Sequence, residues 1–388
     1  MHDVIPNELF SGLNFLTDVF TSKAMLKDCI LLIFGICLSP TKTVAGMADW
    51  FEGVNQSTLN RFLTQHPWQL SKLINACHRE IEEKVIGKIV RLIIDDSKIE
   101  KTGEKIQRTG WEFDHCKKLH ILCFSVVFAI VLIEGIELPI PFAVEACKKR
   151  KKNQKRKKSK ITIAMKMIAA FIKLTRLAAK QIILFDSWYS AAKLINSIPE
   201  GVLWVTRLKL KNDRVVLFNG SWLNIWKFRR SVNSWKFKRV KVNDRYFWVY
   251  TEKLMIQGLD NEVTVVISKL SHYSRESIIL ISNLDNVEEI LREYDGRWKI
   301  ETFFRTAKQT LGIGDFQIRK YLGNRRYWAM VLLAYTLISR MQQLWKECRT
   351  VGDVLNRFRR LLQNAAANYG MSFGRFTHTY VCENFAKL

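Results

Sequence analysis

The sequence predicts an α/β protein, a mixed-sheet core with a β-rich insertion, preceded by a helical N-terminal domain. Three observations predict it. Apolar residues recur at helical spacing through the first ninety positions. Beyond them, short β-branched runs that end in aspartate alternate with further helical patterns. Residues 207–283 then change to strand-like alternation rich in Trp, Val, Phe, Lys and Arg.

In the first ninety residues the helical pattern runs from Leu9 to Leu38 and breaks at Ser39-Pro40. The stretch TKTVAGMADWFEGVNQSTLNRFLTQHPW follows as a short helix, a turn at Gly53, and a second helix opening near Ser57. That is a helix-turn-helix outline, with Asn55, Gln56, Ser57, Asn60 and Arg61 near the start of the second helix. Two packed helices joined by a glycine turn are equally common in plain helical domains.

Residues 89–96 (IVRLIIDD) read as a buried strand with carboxylates at its C-terminal end. Stretches 119–133 and 136–145 read as a hairpin about Glu134-Gly135, and Ile161 to Lys180 as a helix. QIILFDSWYS is a second apolar strand ending in an aspartate, Asp186; Ala191 to Ile198 suits a helix and Val202 to Thr206 a strand. Strand, strand, strand, helix, strand, helix, strand is the ribonuclease H-like order. Its first and fourth strands lie side by side, which would bring Asp95 or Asp96 close to Asp186. The expected organisation is therefore 1–88, a helical N-terminal domain; 89–206, the first part of the core; 207–283, the β-rich insertion; 284–345, the rest of the core; and 346–388, a helical tail.

The 388 residues carry 62 Lys/Arg against 36 Asp/Glu, a net charge of +26. That excess favours a polyanionic partner. It is uneven: residues 1–90 hold eight Lys/Arg and nine Asp/Glu, whereas Lys148 to Lys160 (KKRKKNQKRKKSK) holds ten basic residues in thirteen. Such a run reads as a solvated loop able to grip phosphates through Lys148, Lys149, Arg150, Lys151, Lys152, Lys155, Arg156, Lys157 and Lys158, without reading bases. The longest apolar runs, Ile30 to Leu38 and Ile121 to Ile133, are too short to span a bilayer. Asp3 and Glu8 stand where a signal peptide would be basic, so a cytoplasmic location is expected. The eight cysteines include no CxxC pair and read as reduced.

Tyr294, Arg297, Glu301 and Lys308 are spaced Tyr-x2-Arg-x3-Glu-x6-Lys, steps that put them on one face of a continuous helix. A carboxylate among cations suits a divalent metal at Glu301 and phosphate oxygens at Arg297 and Lys308. The plainer reading is a solvated i,i+4 ion pair, Arg297 with Glu301. Asp186 could likewise be a helix N-cap, and Asp95-Asp96 the start of a turn. Charges at the ends of buried strands need an offset. Two strand-end aspartates and a helical glutamate explain the pattern jointly, since three carboxylates can hold two Mg²⁺ ions ~3.5–4 Å apart.

LIIDDS, ILFDSWYS and YDGRWKIETFFRTAKQTLG, in that order, resemble the three motifs of bacterial insertion-sequence transposases of the DDE type. The third matches the Tyr-Arg-Glu-Lys signature of one large group, and LGIGDFQIRKYLGNRRYWAMVLLAYTL and TVAGMADWFEGVNQSTLNRFL continue the likeness. The resemblance spans about residues 35 to 345. It implies a ribonuclease H-like core, dependence on Mg²⁺ with Mn²⁺ as substitute, and cleavage and joining of transposon-end DNA into target DNA by a homodimer on paired ends. Carried over by position, the catalytic and metal-binding triad is Asp95, Asp186 and Glu301. The family pattern favours Asp95 over Asp96. Tyr294, Arg297 and Lys308 would hold the terminal phosphate. Two other classes stay open: a catalytically silent DNA-binding relative acting as repressor, and a nuclease on the same fold that cuts without joining.

Overall fold

The computed structural model describes residues 12–147, 159–210, 214–274 and 276–385. The basic run Lys148 to Lys158 lies outside the described residues. Four helices come first: α1 (Lys23–Leu38), α2 (Val44–Phe51), α3 (Gln56–Thr64) and α4 (Leu70–Lys84). Next come β1 (Ile89–Glu100), β2 (Gly110–Asp114), β3 (Leu119–Ile133) and β4 (Ile140–Ala146). Then α5 (Lys160–Leu174), β5 (Lys180–Phe185), α6 (Ala192–Ile195) and β6 (Leu203–Arg207) follow. A hairpin of β7 (Val215–Phe218) and β8 (Ser221–Asn224) leads into α7 (Ile225–Ser231). After it run β9 (Lys238–Val242), β10 (Arg245–Leu254), β11 (Val263–Lys269) and β12 (Ile278–Ser282). The chain ends in α8 (Val287–Gly296), α9 (Lys299–Arg305), α10 (Tyr321–Leu344), α11 (Val351–Asn368) and α12 (Phe373–Phe385).

The fold is mixed α/β and divides into two compact units: residues 1–84, 96–158 and 301–388, and residues 85–95 and 159–300. The division cuts the chain between Asp95 and Asp96 and between Ile300 and Glu301.

The first unit is built on α10, whose residues are apolar almost all round. Tyr327, Trp328, Met330, Val331, Leu337 and Ile338 are all fully or nearly buried. A helix apolar on every side belongs in a core, and α1 is the same kind of helix, with Cys29 against Met330. Among the described residues no helix is long and apolar enough to cross a membrane. Asn55 caps α3 by accepting from the Ser57 N–H, and residues 52–55 separate α2 from α3 as the sequence predicts. Gln56, Ser57, Asn60 and Arg61 stay exposed while Leu59, Phe62 and Leu63 are buried. The hairpin predicted from 119–133 and 136–145 forms as antiparallel β3 and β4, and β2, where no strand was predicted, also pairs with β3.

The second unit is a mixed sheet in the order β1-β5-β6-β12-β11-β10-β9. β1, β5 and β6 are parallel, the others antiparallel. β1 and β5 are rich in Val, Ile and Leu, and Val90, Leu92, Ile93, Ile94, Ile182, Ile183 and Leu184 are fully buried, as strands covered on both faces require. The alternation of WKFKRVKV and RYFWVYTEKL appears as paired β9 and β10. β12 bonds to β6 through Leu280 with Arg207 and Ser282 with Val205, so the strands of the insertion extend the sheet of the core.

Candidate active site

In the second unit, β1 and β5 run parallel in register from Ile89 with Lys180 to Ile94 with Phe185. Asp95 and Asp186 are the next residue on each strand. Two carboxylates therefore emerge where the parallel pairing ends, between strands that stand ~4.8 Å apart; β5 stops at Phe185, whereas β1, expected to close at its aspartates, runs on to Glu100. Asp186 precedes a short turn at Ser187–Tyr189, yet its carboxylate caps none of that turn's N–H groups; the Ser187 hydroxyl donates to it at 3.3 Å. Capping does not account for Asp186.

The segment expected as one helix bearing Tyr294, Arg297, Glu301 and Lys308 is instead broken. α8 stops at Gly296; Arg297, Trp298 and Ile300 donate to the carbonyls three residues back; α9 begins at Lys299; and Thr306–Thr310 closes as a π-helical turn. Glycine is the least helix-favouring residue short of proline. Bonds spanning three residues wind more tightly and bonds spanning five more widely than an α-helix, so the segment is not one continuous α-helix. Tyr294 and Arg297 belong to the second unit, Glu301 and Lys308 to the first.

Helix α8 lies along β1 and β5, tied by ion pairs at Glu289, Glu293 and Arg297, one turn apart. Glu289 accepts from Lys180 of β5. Glu293, only 3% exposed, accepts two hydrogen bonds from the Arg91 guanidinium, Nη2 at 2.7 Å. Arg297 Nη1 donates to Asp95 Oδ2 at 3.0 Å, and the two side chains are 11% and 15% exposed. Arg91 and Asp95 are four apart on β1 and so share a face, and the sign of the pair reverses between them. Arg297, expected to meet phosphate, holds Asp95 here.

Tyr294 completes this cluster. The Arg297 guanidinium stands 5.7 Å from its ring centre. Burial pushes the phenol pKa up; the Arg297 guanidinium opposes that, the Asp186 carboxylate adds to it, and Arg207 opposes it again. The cluster of the second unit is thus Asp95, Asp186, Tyr294, Arg297 and Arg207. Sequence reasoning did not flag Arg207, Arg91 or Glu293. The i,i+4 spacing of Glu289, Glu293 and Arg297 was the available signal for the last.

In the first unit Glu301 sits in the first turn of α9. Lys308 lies in the π-helical turn, where desolvation lowers its pKa against the opposing charges of Asp114 and Glu301. Asp96, the residue after Asp95 on β1, points to the other face of that strand and also belongs to this unit.

Among the described residues no three His, Cys, Asp or Glu side chains stand together as a metal-binding group. The donor set fits a hard divalent ion all the same. Asp95 and Asp186 offer only carboxylate oxygens, which suit Mg²⁺ or Mn²⁺ better than Zn²⁺. The Arg297 guanidinium already places a cation on Asp95.

A family model described as DDE superfamily endonuclease matches residues 15–221, which include Asp95, Asp96 and Asp186 and stop short of Glu301. No curated protein matches the sequence. Among solved structures the chain is similar to the NurA nuclease from Sulfolobus solfataricus. The identity is 12% over 78% of this chain and 94% of that one, with a TM-score of 0.26, too low to carry an argument.

Proposed function

The chain belongs to the DDE superfamily endonucleases, and from that premise we propose that it is a DNA transposase that cuts insertion-sequence ends and joins them to target DNA. The observation that carries the reading is the emergence of Asp95 and Asp186 side by side where the parallel pairing of β1 with β5 ends, beside Tyr294 and Arg297. With the order of LIIDDS, ILFDSWYS and the Tyr-Arg-Glu-Lys segment, it favours a ribonuclease H-like core.

Asp95, Asp186 and Glu301 would hold Mg²⁺, or Mn²⁺ in its place. That group, when bound, supplies activation of a water or 3′-hydroxyl and stabilisation of the leaving oxygen. The remaining work falls to the chain's own cations. Arg297 and Lys308 bind phosphate oxygens and Tyr294 helps to fix the terminal phosphate, which orients the scissile bond. The run from Lys148 to Lys158 grips the duplex backbone without base preference. The pair α2–α3 offers Gln56, Ser57, Asn60 and Arg61 as an exposed recognition edge. The protein works as a homodimer on paired ends.

The test is incubation of purified protein with linear DNA carrying its element's end and Mg²⁺, wild type beside Glu301→Gln, resolved on a denaturing gel. Strand breaks at the end and joined products in wild type alone are the expected result. The family description supports a second reading, an endonuclease that never joins. Breaks without joined products would establish it. Bound but uncut DNA in both proteins would leave only a DNA-binding relative.

A further inference from the structure

The geometry points to Arg297 as an exchangeable counter-ion that couples metal binding at Asp95 to phosphate binding. This rests on the reading of Asp95 as a metal-binding carboxylate.

Three observations lead to it. The Arg297 guanidinium donates to Asp95 at 3.0 Å with both side chains largely out of solvent. A second cation cannot approach the same oxygens there without meeting uncompensated like charge, which a low-dielectric site screens poorly. Next, Arg297 stands at a joint. It is the C-cap of α8, directly after Gly296, in a run of three-residue turns. Its backbone is not locked in a helical interior. Finally, the neighbouring rung is built to stay. Glu293 is 3% exposed and doubly bonded by Arg91, and Glu289 is tied to Lys180. These anchors hold α8 on β1 and β5 while the last rung opens. The Tyr294 ring, 5.7 Å from the guanidinium, gives the freed cation an aromatic neighbour.

The consequence is a conditional site. With neither ligand present, Arg297 neutralises Asp95. A divalent ion taking Asp95 releases Arg297, whose fork suits a phosphate oxygen pair. A phosphate engaging Arg297 exposes Asp95 to the metal. Each ligand then strengthens the other by the same factor, as linkage requires, and metal is held tightly only when a phosphate is in place.

The test is calorimetric titration of the full chain with Mn²⁺, with electron paramagnetic resonance of free Mn²⁺ as a second readout. Wild type, Arg297→Gln, Arg297→Lys and Asp95→Asn are compared, with folding checked by circular dichroism. Arg297→Gln should bind Mn²⁺ on the order of tenfold tighter than wild type, the change that removal of ~1.4 kcal/mol of competition gives. Arg297→Lys, which keeps charge but loses the fork, should fall between them, and it decides the matter if the glutamine variant does not fold. In wild type, sodium sulfate should raise Mn²⁺ affinity over sodium chloride at equal ionic strength. Arg297→Gln should lose that gain. Unchanged or weaker Mn²⁺ binding in the arginine variants, with Asp95→Asn still weakening it, overturns the exchange alone. Should Asp95→Asn leave Mn²⁺ binding untouched, the metal reading of the site is what fails.

Discussion

Arg91 and Glu293, 202 residues apart in sequence, form a two-bond ion pair that fastens α8 to β1 with the carboxylate almost wholly buried. The pair fixes α8 against β1 one helical turn before Arg297, and so the position from which Arg297 reaches Asp95. Glu293→Ala should strand a guanidinium that is only 23% exposed and cost about 3–5 kcal/mol. Chemical denaturation of the variant beside wild type would measure it. Replacing both partners by apolar residues of similar volume should cost much less.

The division of labour between Asp95 and Asp96 is open to a direct comparison. Successive strand residues face opposite sides, and it is Asp95 that meets Arg297 and follows Ile94 in register with β5. Asp95→Asn should abolish cleavage of end DNA by at least two orders of magnitude while duplex affinity stays within a few-fold. Asp96→Asn should retain most of the activity. The reverse order on the same gel would reassign the first carboxylate.

Much of this was legible in sequence because the signals were local. IVRLIIDD and QIILFD are short, mainly apolar runs followed by aspartate, and they form the paired stretch of the adjacent strands β1 and β5. Distant partnerships were not legible. The i,i+4 spacing of Glu293 with Glu289 and Arg297 marks a helix face but not its burial, since its partner lies 202 positions away. The pairing of β12 with β6, which makes the insertion part of the core sheet, joins segments separated by some seventy residues. The break at Gly296 was hidden by correct spacing: three- and four-residue steps look helical whether or not the backbone stays helical through them. Strand β2 is short and leaves Trp111 and Phe113 exposed, so no buried face announced it.

Two buried lysines give stability an unusual pH dependence. Lys101 is 3% exposed, donates to the Gly314 carbonyl at 2.8 Å and sits 3.7 Å from the Phe316 ring centre. Burial pulls its pKa from 10.5 down to about 7, with the Asp315 charge opposing. Lys42 is pulled down to about 8 in the same way. Between those values and 10.5 the unfolded chain binds protons that the folded one does not, so stability rises with pH from about 7 upward. Burial pushes the thiols of Cys37 and Cys77 up to about 12 from 9, and they act in the opposite sense once unfolded thiolates form. Thermal midpoints should therefore climb from pH 7 to a maximum near 9. Lys101→Met should flatten the climb. A midpoint that falls steadily from pH 7 to 9 would contradict the assignment.

Close packing of α12 on α2 depends on Gly374. A Cβ there would stand 1.6 Å from the Trp50 carbonyl oxygen, a backbone atom that cannot turn aside, while Phe373 meets the Trp50 ring edge-on at 5.1 Å. Gly374→Ala must push the two helices apart, costing roughly 1–3 kcal/mol as overpacking usually does. Gly352→Ala, whose nearest neighbour is the Thr350 hydroxyl at 3.6 Å, should cost far less. Differential scanning of both variants separates the steric effect from the general effect of losing a glycine.

Neutralising the basic run tests whether the charge excess works through phosphates alone. Nine of the eleven residues from Lys148 to Lys158 are Lys or Arg, within a chain of net charge +26. If several of them meet the duplex backbone, each contact contributes about 0.9 to the slope of log affinity against log salt. Replacing all nine by Ala should weaken binding to end DNA and to unrelated DNA by the same factor and make the salt slope shallower for both. Base-reading side chains would behave differently, since they discriminate by ~1–3 kcal/mol at individual positions and leave the slope nearly unchanged. Affinity lost for end DNA alone, at an unaltered slope, would mean that the run reads sequence.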